Sequence, residues 1–164
     1  MKINLLIFLA LLVSMQLHAQ NHKISKGDLM FDFTWQDKNG ESTQLSDFNG
    51  KYVLLNFTAN FCGPCWMAYP EINDLQTKYK DELTVISFHM DDDIEQWNTI
   101  AKKRNLSFDC MSVWNCNNKK EIADAYDVIG FPYFVLINKK GIVVKKWFGH
   151  RKNKLRKVAR RKIK

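Results

Sequence analysis

The chain has 164 residues, enough for one domain of the usual size of roughly 100–200 residues, and it carries no internal repeat or long flexible linker. Its net charge of +8 is lopsided, because Arg151 to Lys164 hold nine Lys or Arg and no acid; Lys2 aside, the rest has 15 basic against 17 acidic residues. A basic stretch of this kind supplies charge without base readout, so the composition does not point to a nucleic-acid partner.

Residues 1–19 read as a signal peptide. Lys2 gives a positive start, Leu5 to Val13 is an unbroken apolar run, and Leu17-His18-Ala19 ends on a small residue suited to cleavage. The run is too short for a comfortable membrane span. Cleavage near Ala19 predicts an exported protein, periplasmic or extracellular, whose cysteines work outside a reducing cytosol. An uncleaved anchor is the alternative reading.

Phe31 to Trp35 alternates as a half-buried strand does, Asp37-Lys38-Asn39-Gly40 turns, and Thr43 to Leu45 returns as a short strand. Tyr52 to Phe57 is the first core strand. Trp66, Met67, Tyr69, Ile72, Leu75 and Tyr79 have helical spacing, with Pro70 removing one backbone hydrogen bond. Leu83 to Phe88 is a second core strand. Asp91, Asp92 and Asp93 favour the start of a helix that buries Ile94, Trp97, Ile100 and Ala101. Ser107 to Met111 reads as extended, and Asn117 or Asn118 caps a helix through Glu121, Ile122 and Tyr126. Tyr133 to Ile137 is a strongly apolar strand, turned by Asn138-Lys139-Lys140-Gly141 into its hairpin partner Ile142 to Val144. The pattern predicts an α/β fold with a mixed sheet covered by helices. In the basic segment 151–164, Leu155, Val158, Ala159 and Ile163 suit a C-terminal helix packed by a thin apolar stripe, its basic side chains in water. Contact with an anionic membrane surface or an acidic partner is the sharper alternative.

The chemistry concentrates in Cys62-Gly63-Pro64-Cys65, between the first core strand and the helix that follows. Two thiols at the first turn of a helix meet unpaired N–H groups and partial positive charge, both of which stabilise thiolate. Thiolate is the form that attacks disulfides. A metal role lacks a second ligand pair at zinc-like spacing, so neither metal nor cofactor is expected beyond the cysteine pair itself. No Pro-x-x-x-Thr-x-x-Cys pattern of the peroxide-reducing type occurs.

Strand, Phe61-Cys62-Gly63-Pro64-Cys65, kinked helix and a late Gly130-Phe131-Pro132 before a hairpin together resemble the thioredoxin superfamily. The signal peptide, the N-terminal β extension and the stretch Leu45 to Phe57 look most like its exported TlpA/ResA-like thiol–disulfide oxidoreductases. The resemblance covers about residues 28 to 150 and implies a thioredoxin-like domain over 20–150. It implies that Cys62 is the nucleophile, that Cys65 is the buried resolving thiol, and that Phe61, Gly63 and Pro64 form the active-site loop. Trp66, Phe131 and Pro132 would contact substrate; Pro132 matches a cis-proline beside the disulfide that lets Phe131 present its backbone to an extended client. Clients would be proteins with cysteines or disulfides, and electrons would come from a membrane or exported redox partner.

The sequence also departs from this pattern. Phe61 replaces a usual Trp, Asn56 stands where thioredoxins bury an Asp, and Ala68 stands where the TlpA/ResA-like branch often has Glu. These changes leave a low-turnover binding module as the alternative to an enzyme. Cys110 and Cys116 read as a structural disulfide in an oxidising compartment, with free thiols or a second redox pair as alternatives. His89 and Asp91 end a core strand, near the sheet edge where ligands gather in α/β folds.

Overall fold

The computed structural model describes residues 23–37, 39–106, 111–114 and 116–163. The signal peptide expected over residues 1–19, and Cys110, therefore lie outside the described residues. Five strands build the main sheet: β3 (Tyr52–Thr58), β4 (Leu83–His89), β5 (Met111–Val113), β6 (Tyr133–Ile137) and β7 (Val143–Phe148), preceded by a small hairpin of β1 (Thr34–Gln36) and β2 (Ser42–Gln44). The order across the sheet is β5-β4-β3-β6-β7. β3 runs parallel to β4 and antiparallel to β6, so the sheet is mixed.

β3 and β4 are buried on both faces because helices or loops cover both. On one side lie α1 (Gly63–Lys78), α2 (Ile94–Lys103) and α4 (Lys154–Lys162). Leu54, Val85, Phe134 and Leu136 meet Tyr69, Ile72, Trp97, Leu155 and Val158 there. On the other side lie α3 (Lys119–Ala125) and the N-terminal segment. Leu55, Phe57, Ile86, Phe88 and Val135 meet Ile24, Phe33, Trp35, Ile122 and Tyr126 on that face. Main-chain bonds from Gly27 to Val143 and from Met30 to Gly141 tie the N-terminal segment to the β6–β7 hairpin.

Several elements differ from their predicted bounds. The first strand is Thr34–Gln36 rather than Phe31 to Trp35, and β7 runs on to Phe148. That extension is hidden in sequence because Lys145 and Lys146 interrupt the apolar run. Ile94 is not buried: at the first position of α2 it is 46% exposed, and Ile100 is half-buried, leaving Trp97 and Ala101 to pack. The C-terminal helix forms, with Leu155, Val158, Ala159 and Ile163 all turned inward.

Candidate active site

β3 delivers the chain to the C-terminal edge of the sheet, and α1 starts five residues later. The connecting loop is pinned from two sides. The Asn60 N–H donates to the Asp91 carboxylate and its side-chain amide to the Asp93 carbonyl at 2.8 Å, while its own carbonyl accepts from Trp66 Nε1 at 2.9 Å. Asp91 thus acts on the site as an anchor for the loop, and the acid that caps α2 is Asp93, whose carboxylate accepts from the Gln96 N–H.

Cys62 is the N-cap of α1. Its Sγ accepts from the Cys65 N–H at 3.1 Å, and its carbonyl accepts the same N–H at 3.1 Å and that of Trp66 at 3.3 Å. One of the donors that a helix start leaves unpaired is therefore aimed at sulfur. Pro64, in the first turn, has no N–H to leave unpaired. The pair is joined as a disulfide, with Cα atoms 5.3 Å apart. Cys62 is 6% exposed and Cys65 is fully buried, so only the first sulfur can meet a partner in line. Ala59 and Phe131 pack against the two cysteines. The Phe131–Pro132 peptide bond is cis, and the buried Pro132 carbonyl accepts from the Gly149 N–H at 2.8 Å.

The surroundings divide into an apolar rim and a polar floor. Phe61 is 82% exposed, its ring 6.3 Å from that of Phe131. Ile129 is 72% exposed, and the exposed Phe148 ring lies against Gly130, where an added Cβ would come within 2.9 Å of Phe148 Cε2. Sequence reasoning missed Ile129 and Phe148. The strand partner Tyr133–Phe148 could have revealed the second only once β7 was known to run so far.

Trp66 is corrected: it does not face substrate. It is buried between Tyr69 and Trp97, its ring centroid 4.0 Å from that of Trp97. The rings of Trp66, Tyr69 and Trp97, from two helices, pack on one another there and leave Trp66 no face for a client.

The floor lies on the sheet face beneath α1. Asn56 and Tyr69 both donate to Ser87 Oγ at 3.2 Å. Asn56 Oδ1, Thr58 Oγ1 and both ring nitrogens of His89 are buried without a hydrogen-bond partner among the described residues. Strand pairing places Asn56 beside Ser87 and Thr58 beside His89. His89 stacks on Trp114 at 3.6 Å and meets the edge of Trp97 at 4.3 Å. Burial, reinforced by the Lys119 charge, lowers its pKa to about 3, so it is neutral at ordinary pH.

Glu71, the carboxylate nearest to the cysteines along α1, is turned elsewhere. It accepts from the Asn153 N–H before α4 and lies 3.4 Å from His150 Nε2. His150 is accordingly half-buried. Cys116, the other described cysteine outside the pair, is a free, half-buried thiol 3.5 Å from the Thr34 carbonyl oxygen. No group of three or more His, Cys, Asp or Glu suited to a metal ion occurs among the described residues.

The AhpC/TSA family profile covers residues 26–146. The chain belongs to the AhpC/TSA family. Thioredoxin-like protein YneN of Bacillus subtilis is 31% identical over 123 residues, 73% of this chain and 69% of that protein. Thiol–disulfide oxidoreductase ResA of the same organism is 29% identical over 128 residues, 77% of this chain and 69% of its own. A solved structure described as a thiol:disulfide interchange protein DsbE from Chlorobium tepidum superposes with a TM-score of 0.73 at 27% identity. It covers 84% of this chain and 95% of that one. The fold of this AhpC/TSA member is thioredoxin-like, and the protein is a thiol–disulfide oxidoreductase of the ResA/DsbE type.

Proposed function

We propose that the protein is an exported reductant of client-protein disulfides, using the Cys62–Cys65 pair. In the reduced protein the Cys62 thiolate attacks a client disulfide, forming a Cys62–client disulfide and expelling one client thiolate. The Cys65 thiol then attacks Cys62 Sγ, and the second client sulfur leaves carrying the proton that Cys65 gives up. Two electrons pass from the dithiol to the client, and the protein is left with the Cys62–Cys65 bond, to be reduced by a membrane-bound or exported donor.

The observation that carries the reducing direction is the sparse stabilisation at Cys62 Sγ. It receives one backbone N–H, its neighbours Ala59 and Phe131 are apolar, and no cationic side chain is hydrogen-bonded to it among the described residues. Strong oxidants owe their potential to a reduced form that is strongly stabilised. With the same surroundings after reduction, a Cys62 thiolate would be helped by one N–H in an apolar setting, which favours the bonded state. The Gly-Pro dipeptide agrees with that direction by resemblance. Export is supported by the apolar run before the cleavage pattern at Ala19. Protein clients are supported by the Phe61, Ile129, Phe131 and Phe148 rim, which suits apolar residues flanking a client cysteine.

The test is the reduction potential of the pair, by equilibration with dithiothreitol or glutathione. A value near that of thioredoxin, about −270 mV, supports the proposal; a value near that of strong oxidants, about −120 mV, overturns its direction. The second reading, a binding module with little turnover, draws on Glu71, whose hydrogen bond commits it to the start of α4. Insulin reduction by dithiothreitol separates the two, since a binding module leaves the rate at that of the blank.

A further inference from the structure

A second feature stands apart from the disulfide. The edge strand β7 and helix α4 enclose a hollow of about 490 Å³, lined by Lys145 of β7, Arg151 and Lys152 before α4, and Lys154, Lys157, Arg161 and Lys162 on it. Among the described residues Val158 completes the lining, and no carboxylate is part of it. An adjoining hollow of about 400 Å³ shares Lys145 and Lys162 and adds Lys26 and Lys146. The other flank of α4 is different: there Arg156 pairs with Asp74.

The cations are held close together. Lys145 and Lys154 both sit over the Trp147 ring, 5.9 and 5.7 Å from its centroid. Partial burial and the neighbouring charges of Arg151 and Lys145 lower the Lys154 pKa. Like charges so arranged repel one another, and an anion in the hollow relieves the repulsion.

We propose that this face docks on the phosphate headgroups of an anionic phospholipid surface. In the second hollow Lys146 is committed to the Ile24 and Tyr126 carbonyls, but the cations of the first hollow continue into it through Lys145 and Lys162, an extent that suits several headgroups rather than one small anion. Every apolar residue of α4 is turned into the core, so the contact is electrostatic and lies on the surface rather than inserting into it. None of the lining residues belongs to the rim around Cys62, so a docked protein keeps its disulfide open to clients. The docking does not depend on the direction of thiol exchange.

Co-sedimentation of the full mature chain with phosphatidylglycerol-containing vesicles, against pure phosphatidylcholine vesicles, tests this. Binding is expected to the anionic vesicles alone, and to fall at least about tenfold as salt rises from about 0.1 M to about 1 M, where screening shortens from about 10 Å to about 3 Å. A Lys154→Glu, Lys157→Glu, Arg161→Glu variant should lose it, whereas Lys80→Glu, Lys103→Glu, Lys120→Glu, with the same change in net charge, should keep it. Glutamine at positions 154, 157 and 161 gives the same readout should charge reversal disturb α4. Insulin reduction should be equal in all these variants. Equal vesicle binding by the two triple-Glu variants, or retention of only soluble polyphosphate with no vesicle binding, overturns the proposal.

Discussion

The two faces of the central sheet are built for different tasks. Toward α3 and the N-terminal segment, β3 and β4 present Val53, Leu55, Phe57, Ile86 and Phe88, all buried and all apolar. Toward α1, the same strands present Asn56, Thr58, Ser87 and His89, also buried. The side-chain period of two in a strand separates these sets completely. One face is therefore a scaffold whose energy comes from apolar burial. The other trades part of that energy for uncharged polar atoms beneath the helix that carries Cys65, and several of those atoms have no partner among the described residues. Buried polar groups without partners are costly, so their concentration under the redox helix marks where the molecule departs from a simple core.

The comparison breaks most visibly at the sulfurs. Cys62→Ser should reduce insulin turnover to the level of the blank, and Cys65→Ser should do so while accumulating a mixed disulfide that mass spectrometry detects. Neither change should move the melting of the reduced protein by more than a few degrees, because neither touches the scaffold face. Full turnover in either variant would remove the pair from the mechanism.

On the scaffold face the expectation reverses. Phe57 is fully buried, with Phe88 at 5.2 Å and Tyr126 at 5.8 Å. Phe57→Ala should cost about 3–5 kcal/mol in denaturant unfolding, as large-to-small core changes do, and leave the reduction potential of the folded protein unchanged. A shift of potential comparable with the loss of stability would mean that the two faces are coupled.

The polar face should reveal itself in acid. His89 has a folded pKa of about 3 against an ordinary 6.5. Between those values the unfolded chain takes up a proton that the folded chain refuses. Stability is therefore fully present above pH 6.5 and falls as pH drops toward 3, by at most about 1.4 kcal/mol per pH unit from this residue. His89→Phe keeps the stacking against Trp114 and removes the proton. Its melting temperature should depend less on pH between about 6 and 4 than that of the parent chain. Parallel pH profiles would show that the ring is reachable by protons after all.

Much of this division was legible before any coordinates. The apolar runs at Tyr52, Leu83 and Tyr133 announce buried strands, and Cys-Gly-Pro-Cys between strand and helix announces the site. The polar floor was not legible as a unit, because Thr58 and His89 become neighbours only through the β3–β4 register. Trp66 was misplaced for a similar reason. Its cover is Trp97, which arrives 31 positions later from α2, and helical periodicity alone cannot say which partner a ring will find. Lys145 and Lys146 disguised β7 because edge strands tolerate charge that central strands do not.

The smallest expected effect belongs to Glu71. It is buried in α1, six positions after Cys65, and it is the carboxylate that a search for a proton acceptor along this helix would select. Its oxygen instead accepts from the Asn153 N–H and faces His150, on the side where α4 docks. Glu71→Gln keeps an acceptor for that N–H and removes the charge. If the carboxylate serves docking alone, insulin turnover and its pH profile should stay within about twofold of the parent, since general-base removal would cost about a hundredfold or more. The visible change should be a lower melting temperature from a looser start to α4, since a hydrogen bond to a charged acceptor is worth about 1.5–3 kcal/mol against about 1 for a neutral one. A drop of tenfold or more in turnover at unchanged stability would instead put Glu71 in proton transfer with Cys65, and the polar floor would no longer be the whole of what lies beneath the redox helix.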